Sequence, residues 1–290
     1  MARASSPRRS TGLTLLSPRA TGEWLTVAVT VVLTLIILVP VFWMLNAAVR
    51  PIKEILTYPP VIVPHELTLE YFERLIDNDQ YRRYYLNSII LALATTAIVL
   101  PLGLLAAYGF SRFRMPGGRA MLLGIMALLL LPPVTLILPY FKLAHDFHVY
   151  DTLFGLILVN TAWILPISIW LLKGYMDAVP VELEEAAMID GATRLQALGK
   201  VLVPIMVPSL IGIGTYVFIQ AWNEYLLAVT LTDSPASQPL TIGLGAFFGQ
   251  FTRDWNSIMA LSTIASLPLA VLFVFFQRWV VQGMTSGAVK

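Results

Sequence analysis

Six apolar stretches of about 20 residues or more divide this 290-residue chain. They run from Trp24 to about Ala48, Leu86 to Phe110, Ala120 to Phe141, Thr152 to Leu172, about Val203 to Val229, and Trp255 to Gln277. About 20 residues of α-helix, rising ~1.5 Å each, cross the ~30 Å hydrocarbon core of a bilayer. Hydrocarbon offers the backbone no hydrogen-bond partner, so each stretch has to bond within itself as a helix. Hydrophobic residues make up 57% of the chain and charged residues 12%, where soluble domains carry about 45–50% and about 25%. That is too little polar surface to keep six such helices in water. The sequence specifies an all-α integral membrane protein with six transmembrane helices.

The ionisable residues then narrow the chemistry. Nineteen cations against 17 acids leave a net charge of +2, which is no footprint for nucleic acid. Without cysteine there are no disulfides, thiolate metal sites or cysteine nucleophiles. Only His65, His145 and His148 could serve as imidazole bases or ligands. His145 and His148 stand three apart in an outer loop, where a solvated pair is commoner than a metal site, so no metal is expected. Neither a Gly-x-Ser-x-Gly elbow nor a His-Glu-x-x-His pair occurs, and no catalytic residue is assigned. A P-loop is missing as well: Gly199-Lys200 is followed by Val201, and Arg194 takes the place of the first glycine. No cofactor is expected in this chain.

Charge also orients the spans. Residues 1–20, with Arg3, Arg8, Arg9 and Arg19 among many serines, precede an apolar run too long for a signal peptide. They read as a disordered cytoplasmic tail ahead of a retained first helix, 24–48. With the tail inside, twelve of the 19 cations fall on the cytoplasmic side, three of them in the acid-free loop Ser111–Arg119. Both termini are then cytoplasmic. Residues 49–85 form the longest outer loop, and Asp233–Asp254, broken by Pro235, Pro239 and several glycines, forms the second.

The longest cytoplasmic connection, within 174–203, reads as helix, glycine, helix. Pro180 suits a first helical position, and Glu182, Glu184 and Glu185 crowd the first turns, where the helix dipole favours acids. Gly191 is placed to end that helix in a left-handed conformation. Thr193 and Gln196 have the spacing of a capping box for a second short helix. Ala186 and Ala187 leave no bulk, so a partner protein could approach the backbone closely. A helix resting on lipid headgroups would instead want Lys and Arg on its polar face. An unpacked loop is the third reading, and partner docking leads.

Inside the fifth stretch, Glu224 is the one formal charge between Val201 and Thr232. A carboxylate facing lipid is costly, about 2.5–3.5 kcal/mol at a helix centre for Asp on insertion scales. It is expected at a helix interface or a water-filled path, or snorkelling at the span's end. Gln220, Trp222, Asn223 and Glu224 together offer amides, a carboxylate and a ring to a solute's hydroxyls. An ion-coupled secondary transporter using Glu224 is the alternative from another class.

Glu185-Ala186-Ala187, then Gly191, then Val201-Leu202-Val203-Pro204 resembles the "EAA…G…I-L-P" signature of binding-protein-dependent ABC transporter permeases, with valine at the usual Ile and Leu places. Asp190-Gly191-Ala192 matches a form common in that family. Ala221-Trp222-Asn223-Glu224-Tyr225 and the C-terminus from Gly283 to Lys290 resemble the smaller maltose-type permease subunit of carbohydrate importers. The resemblance implies a type I ABC importer permease fold, with residues 86–281 as the ABC transmembrane core, in a bacterial or archaeal plasma (inner) membrane. It implies a heterodimer with a second permease subunit, two ATPase subunits that hydrolyse the ATP, an external solute-binding protein, and a sugar or polyol substrate. Glu184, Glu185, Ala186, Ala187, Asp190 and Gly191 would couple to the ATPases. Gly283, Ser286, Gly287 and Lys290, in a cytoplasmic C-terminal tail at 282–290, would reach between them.

Overall fold

The computed structural model describes residues 18–55, 57–58, 62–248 and 254–286, with side chains between Trp24 and Trp279. Among these residues there is no β-strand. The first span is α1 (Pro18–Ala48); a single turn, α2 (Ile52–Ile55), and the short α3 (Glu70–Asp77) occupy the loop after it. The second span, α4 (Asp79–Arg112), opens where the Asn78 side chain accepts the Gln80 amide at 2.9 Å. After it come α5 (Gly118–Ala127) and α6 (Ile137–Asp146), then the fourth span, α7 (Leu153–Ala178), capped by Thr152 Oγ1, which accepts the Gly155 amide at 3.0 Å. On the side where α7 ends lie α8 (Glu182–Ile189) and α9 (Arg194–Ala197), followed by a π-turn at Leu198–Leu202. The chain returns through α10 (Val203–Trp222), continues in α11 (Leu226–Leu231) and α12 (Leu240–Gly245), and crosses again in α13 (Trp255–Ser286).

Helix α4 is the centre of the bundle, packed against both α7 and α10. Glycine makes that possible. A Cβ at Gly103 of α4 would lie 3.0 Å from Leu172 Cδ1 of α7, and one at Gly214 of α10 would lie 3.1 Å from Leu100 Cδ1 of α4. Between spanning helices, where lipid is as apolar as leucine, small residues at the contact bring packing surfaces close. Val99, Leu172, Leu202, Met206 and Val217 fill the core so formed. Helix α13 closes on α10, and α1 packs on α13. The outward faces are apolar, as at Ile36 and Ile37 of α1, which are exposed. That is the surface lipid covers.

Three expected spans differ from the structure. Ala120 to Phe141 is not one helix: the segments Gly118–Leu130 and Pro133–Asp146 meet at 99°. Leu131 is extended, with φ −73° and ψ 127°, because the ring of Pro132 disfavours helix at the residue before it. Pro132 and Pro133 also remove two adjacent backbone donors. Five helices are thus long and apolar enough to cross a membrane, or six if the bent pair is one span. The fifth stretch breaks at 223–225, between α10 and α11. The sixth runs past Gln277 to Ser286, so residues 282–286, read as tail, continue the helix. Residues 1–17 and 287–290, including Gly287 and Lys290, lie outside the described residues.

Candidate functional site

Helix α8 begins at Glu182, two residues after Pro180, with Glu182, Glu184 and Glu185 in its first turn. It ends at Gly191, whose φ of +90° is open to glycine and strained for other L-residues. The capping box then starts α9 as its spacing requires: the Thr193 amide donates to Gln196 Oε1 at 2.8 Å, and the Gln196 amide to Thr193 Oγ1 at 3.3 Å.

One of the three glutamates turns inward. The Glu184 side chain is 2% exposed and lies against the end of α4, where Arg112 Nε donates to its Oε2 at 3.1 Å. The Tyr108 hydroxyl, one turn earlier on α4, donates to Oε1. Arg112 also donates through Nη2 to the Val179 carbonyl at 2.9 Å and through Nη1 to Ser111 Oγ at 3.3 Å. Beside it, Ser111 Oγ donates to Asp177 at 2.6 Å, and Lys173 Nζ pairs with Asp177 at 2.5 Å. A buried carboxylate is tolerated only when paired and hydrogen-bonded, and Glu184 is both. The network fastens the start of α8 to the ends of α4 and α7.

The opposite face of the helix pair is uncovered. Glu185, Ala186, Asp190 and Gly191 are exposed and Ala187 is half-buried. Ile189 is 86% exposed and Leu195 68% exposed, in the connection between α7 and α10. These apolar side chains stand open on a polar element whose second helix is capped by Thr193. Of the residues assigned to coupling, Glu184 therefore anchors the element, and the others form or flank its open face.

At the far end of α10, the four residues assigned to a solute path are not alike. Trp222 is buried, its ring stacked on Phe218 with centroids 5.9 Å apart and edge-on to Tyr85 at 5.9 Å. Gln220 and Asn223 are exposed; Asn223 Nδ2 donates to the Ile219 carbonyl at 2.9 Å. Glu224 sits in the helix break, where its Oε1 accepts the Leu227 amide at 2.8 Å and so caps α11. Its backbone carbonyl accepts from Thr241 Oγ1 at 2.7 Å. The helix break, and not a lipid-facing position, explains how the carboxylate is tolerated.

The loop 233–240 folds back over the N-terminal parts of α4 and α7. Asn87 Nδ2 donates to the carbonyls of Ala236 at 3.1 Å and Gln238 at 2.8 Å, and the Leu240 amide donates to Ser88 Oγ at 2.8 Å. Asp151, held at φ +53°, takes the amides of Asp233 at 2.8 Å and Ser234 at 2.9 Å and the Ser237 hydroxyl at 2.5 Å. Burial works against its charge, but these hydrogen bonds outweigh burial and hold the carboxyl down at about 2. Sequence alone did not single out Tyr108, Arg112, Asn87 or Asp151 for these parts. Their partners are distant in the chain, and only Arg112 carried a signal, as a cation closing a span. His145, one of the two outer-loop histidines, stacks on Tyr150 with ring centroids 4.2 Å apart. Among the described residues no three His, Cys, Asp or Glu side chains converge on a metal-sized site.

Comparison with known proteins identifies the family and the fold. Over 90% of its length the chain is 34% identical to the diacetylchitobiose uptake system permease protein DasC of Streptomyces coelicolor, covering 94% of that protein. It is 34% identical to the trehalose transport system permease protein SugB of Mycobacterium tuberculosis, with 87% of this chain and 92% of that one aligned. Its fold matches a crystal structure of a bacterial ABC transporter that imports alginate, with a TM-score of 0.77 at 21% identity, over 91% of this chain and 98% of that chain. Residues 99–286 match the family described as the binding-protein-dependent transport system inner membrane component. Matched over more than half its length, and with relatives aligned along nearly all of it, the chain belongs to that family of multi-pass membrane permeases.

Proposed function

We propose that this chain is one permease half of an ATP-driven importer for a sugar or related polyol, moved by partner ATPases through the α8–Gly191–α9 element. One observation carries the reading: a rigidly anchored helix pair presents open apolar and acidic side chains at the end of the spans, as at Ile189 and Glu185. The chain contains no P-loop, so hydrolysis belongs to partner subunits. A second permease completes the path, and an external solute-binding protein delivers the substrate. Relatives named for diacetylchitobiose and trehalose support the carbohydrate class.

In the mechanism, closure of the ATPases displaces α8. Glu184 and Arg112 pass that displacement to α4, and the Leu198–Leu202 π-turn passes it to α10. Because α4 packs on both α7 and α10, a tilt of α4 carries the bundle with it. The helix pair faces the cytoplasm, which puts both termini inside. Gln220 and Asn223 line the outer part of the path, and Glu224 shapes its break. At the C-terminus, Gly283, Ser286, Gly287 and Lys290 contact the ATPases; truncation after Gln282 should weaken their association and leave insertion intact.

Sugar uptake into vesicles containing the reconstituted complex tests the reading. Uptake should require internal ATP and the binding protein, and should persist when proton and sodium gradients are collapsed. Uptake driven by an ion gradient without ATP would contradict it. The ion-coupled alternative gains no support from Glu224, whose carboxylate already caps α11.

A further inference from the structure

The loop between α4 and α5, on the same side as α8, frames two adjoining clefts. One, of about 430 Å³, is walled by Phe110, Phe113, Arg114, Arg119 and Lys173. The other, of about 380 Å³, is walled by Trp170, Leu171, Tyr175 and Asp177. Leu122 and Lys173 line both, so the clefts form a basic half and an apolar half of one groove.

The charge of the groove is uncompensated. Asp177 is its acid, and Asp177 is already paired with Lys173 at 2.5 Å. Arg114 and Arg119 are exposed, and among the described residues neither forms an ion pair. The start of α5 adds to the same sign: it follows Gly117 at φ +73°, has no side-chain cap and carries no acid in its first turn. Two guanidiniums with no acid paired to them therefore lie beside an apolar wall at the level where α4 and α7 leave the membrane. Trp170, 51% exposed on that wall, has the position of a residue in the aromatic belt.

We infer that this groove holds an anionic glycerophospholipid, its phosphodiester between Arg114 and Arg119 and an acyl chain along Leu122 and Trp170. A soluble phosphate would use the guanidiniums but not the apolar half. A zwitterionic headgroup would bring its own cation to a site that already has two. Basic clefts between spanning helices at a membrane face are where anionic headgroups bind. A lipid here bridges α5 and α7 and braces the bent third span. The site requires insertion in a membrane and does not depend on the transport reading, so failure of one leaves the other standing.

The test uses the full chain, purified in detergent with its partner subunits and stripped of lipid. It is titrated with phosphatidylglycerol, phosphatidylcholine and inorganic phosphate, and bound lipid is counted by native mass spectrometry. One phosphatidylglycerol per chain should be retained where phosphatidylcholine is not. Arg114→Gln with Arg119→Gln should weaken retention about tenfold or more, since each cation contributes near an anionic surface. Each single variant, should the double not assemble, should weaken it by about threefold, whereas Arg74→Gln on the opposite face should not change it. Equal retention of both lipids, undiminished retention in the arginine variants, or displacement of phosphatidylglycerol by millimolar phosphate would overturn the proposal.

Discussion

Arg112 Nε lies 3.1 Å from Glu184 Oε2, and the two side chains are 5% and 2% exposed. They lie in the last turn of α4 and the first turn of α8, locked together out of water. Removing one partner of a buried pair leaves the other charge uncompensated, at a cost of about 3–5 kcal/mol. Glu184→Ala or Arg112→Ala should therefore lower the yield and melting temperature of the assembled complex. Replacing both with methionine should recover most of the thermal stability. Uptake per ATP hydrolysed should stay low in the double variant, because the fastening is gone while the core is filled. A double variant with the wild-type ratio would show that the pair serves folding alone.

Gly191 separates strain from contact. Its φ is +90°, and no atom lies within 4 Å of where a Cβ would be. Within this chain, any penalty of substitution is thus conformational. Gly191→Val should cost about 1–3 kcal/mol locally and reduce stimulated ATPase activity and uptake together. Gly191→Asn, which tolerates positive φ better, should retain more of both. Equal activity for the two variants would remove the conformational requirement.

Asp151 pins the loop 233–240. Its carboxyl is lowered from 3.8 to about 2, so the clamp's contribution is complete above about pH 4 and is lost as pH falls through about 2. Across pH 5–8 the loop should show no pH dependence from this group. Asp151→Asn should speed hydrogen exchange at the Asp233 and Ser234 amides by about tenfold, the loss of about 1–2 kcal/mol expected of charge-assisted hydrogen bonds. Unchanged exchange would mean that Asn87 and Ser88 hold the loop without it.

The chain has no cysteine, which permits single labelling sites. Cysteine at exposed Asn223 should react with small hydrophilic thiol reagents, at a rate that substrate-loaded binding protein alters. Cysteine at buried Trp222 should react slowly, in keeping with its 4% exposure. Reaction at residue 223 with lipid-soluble reagents alone would take it out of the path.

What could be read in the sequence was local, and what could not was long-range. The helix–Gly191–helix loop was legible because a capping box and a left-handed glycine act over three or four residues. Glu184 and Glu185 are indistinguishable in sequence, and only the rotation of α8 against Arg112, 72 residues away in the chain, decides which one is buried. Leu131-Pro132-Pro133 did carry a signal for the break in the third span, but the apolar run around it masked the missing backbone donors. The break at Glu224 had a weaker signal. There a polar side chain competes for the backbone amide at Leu227, and hydropathy counts it only as an interruption.

The open face of α8 should bear on an ATPase subunit in the assembled complex. Ile189, 86% exposed at its end, is the most direct reporter. Ile189→Cys in the assembled complex, treated with a short bifunctional thiol–amine reagent, should give a product joining this chain to an ATPase subunit, in a yield that changes when ATP binds. A complex that assembles, whose introduced thiol reacts with maleimide, and that yields no such product with or without ATP would contradict the account.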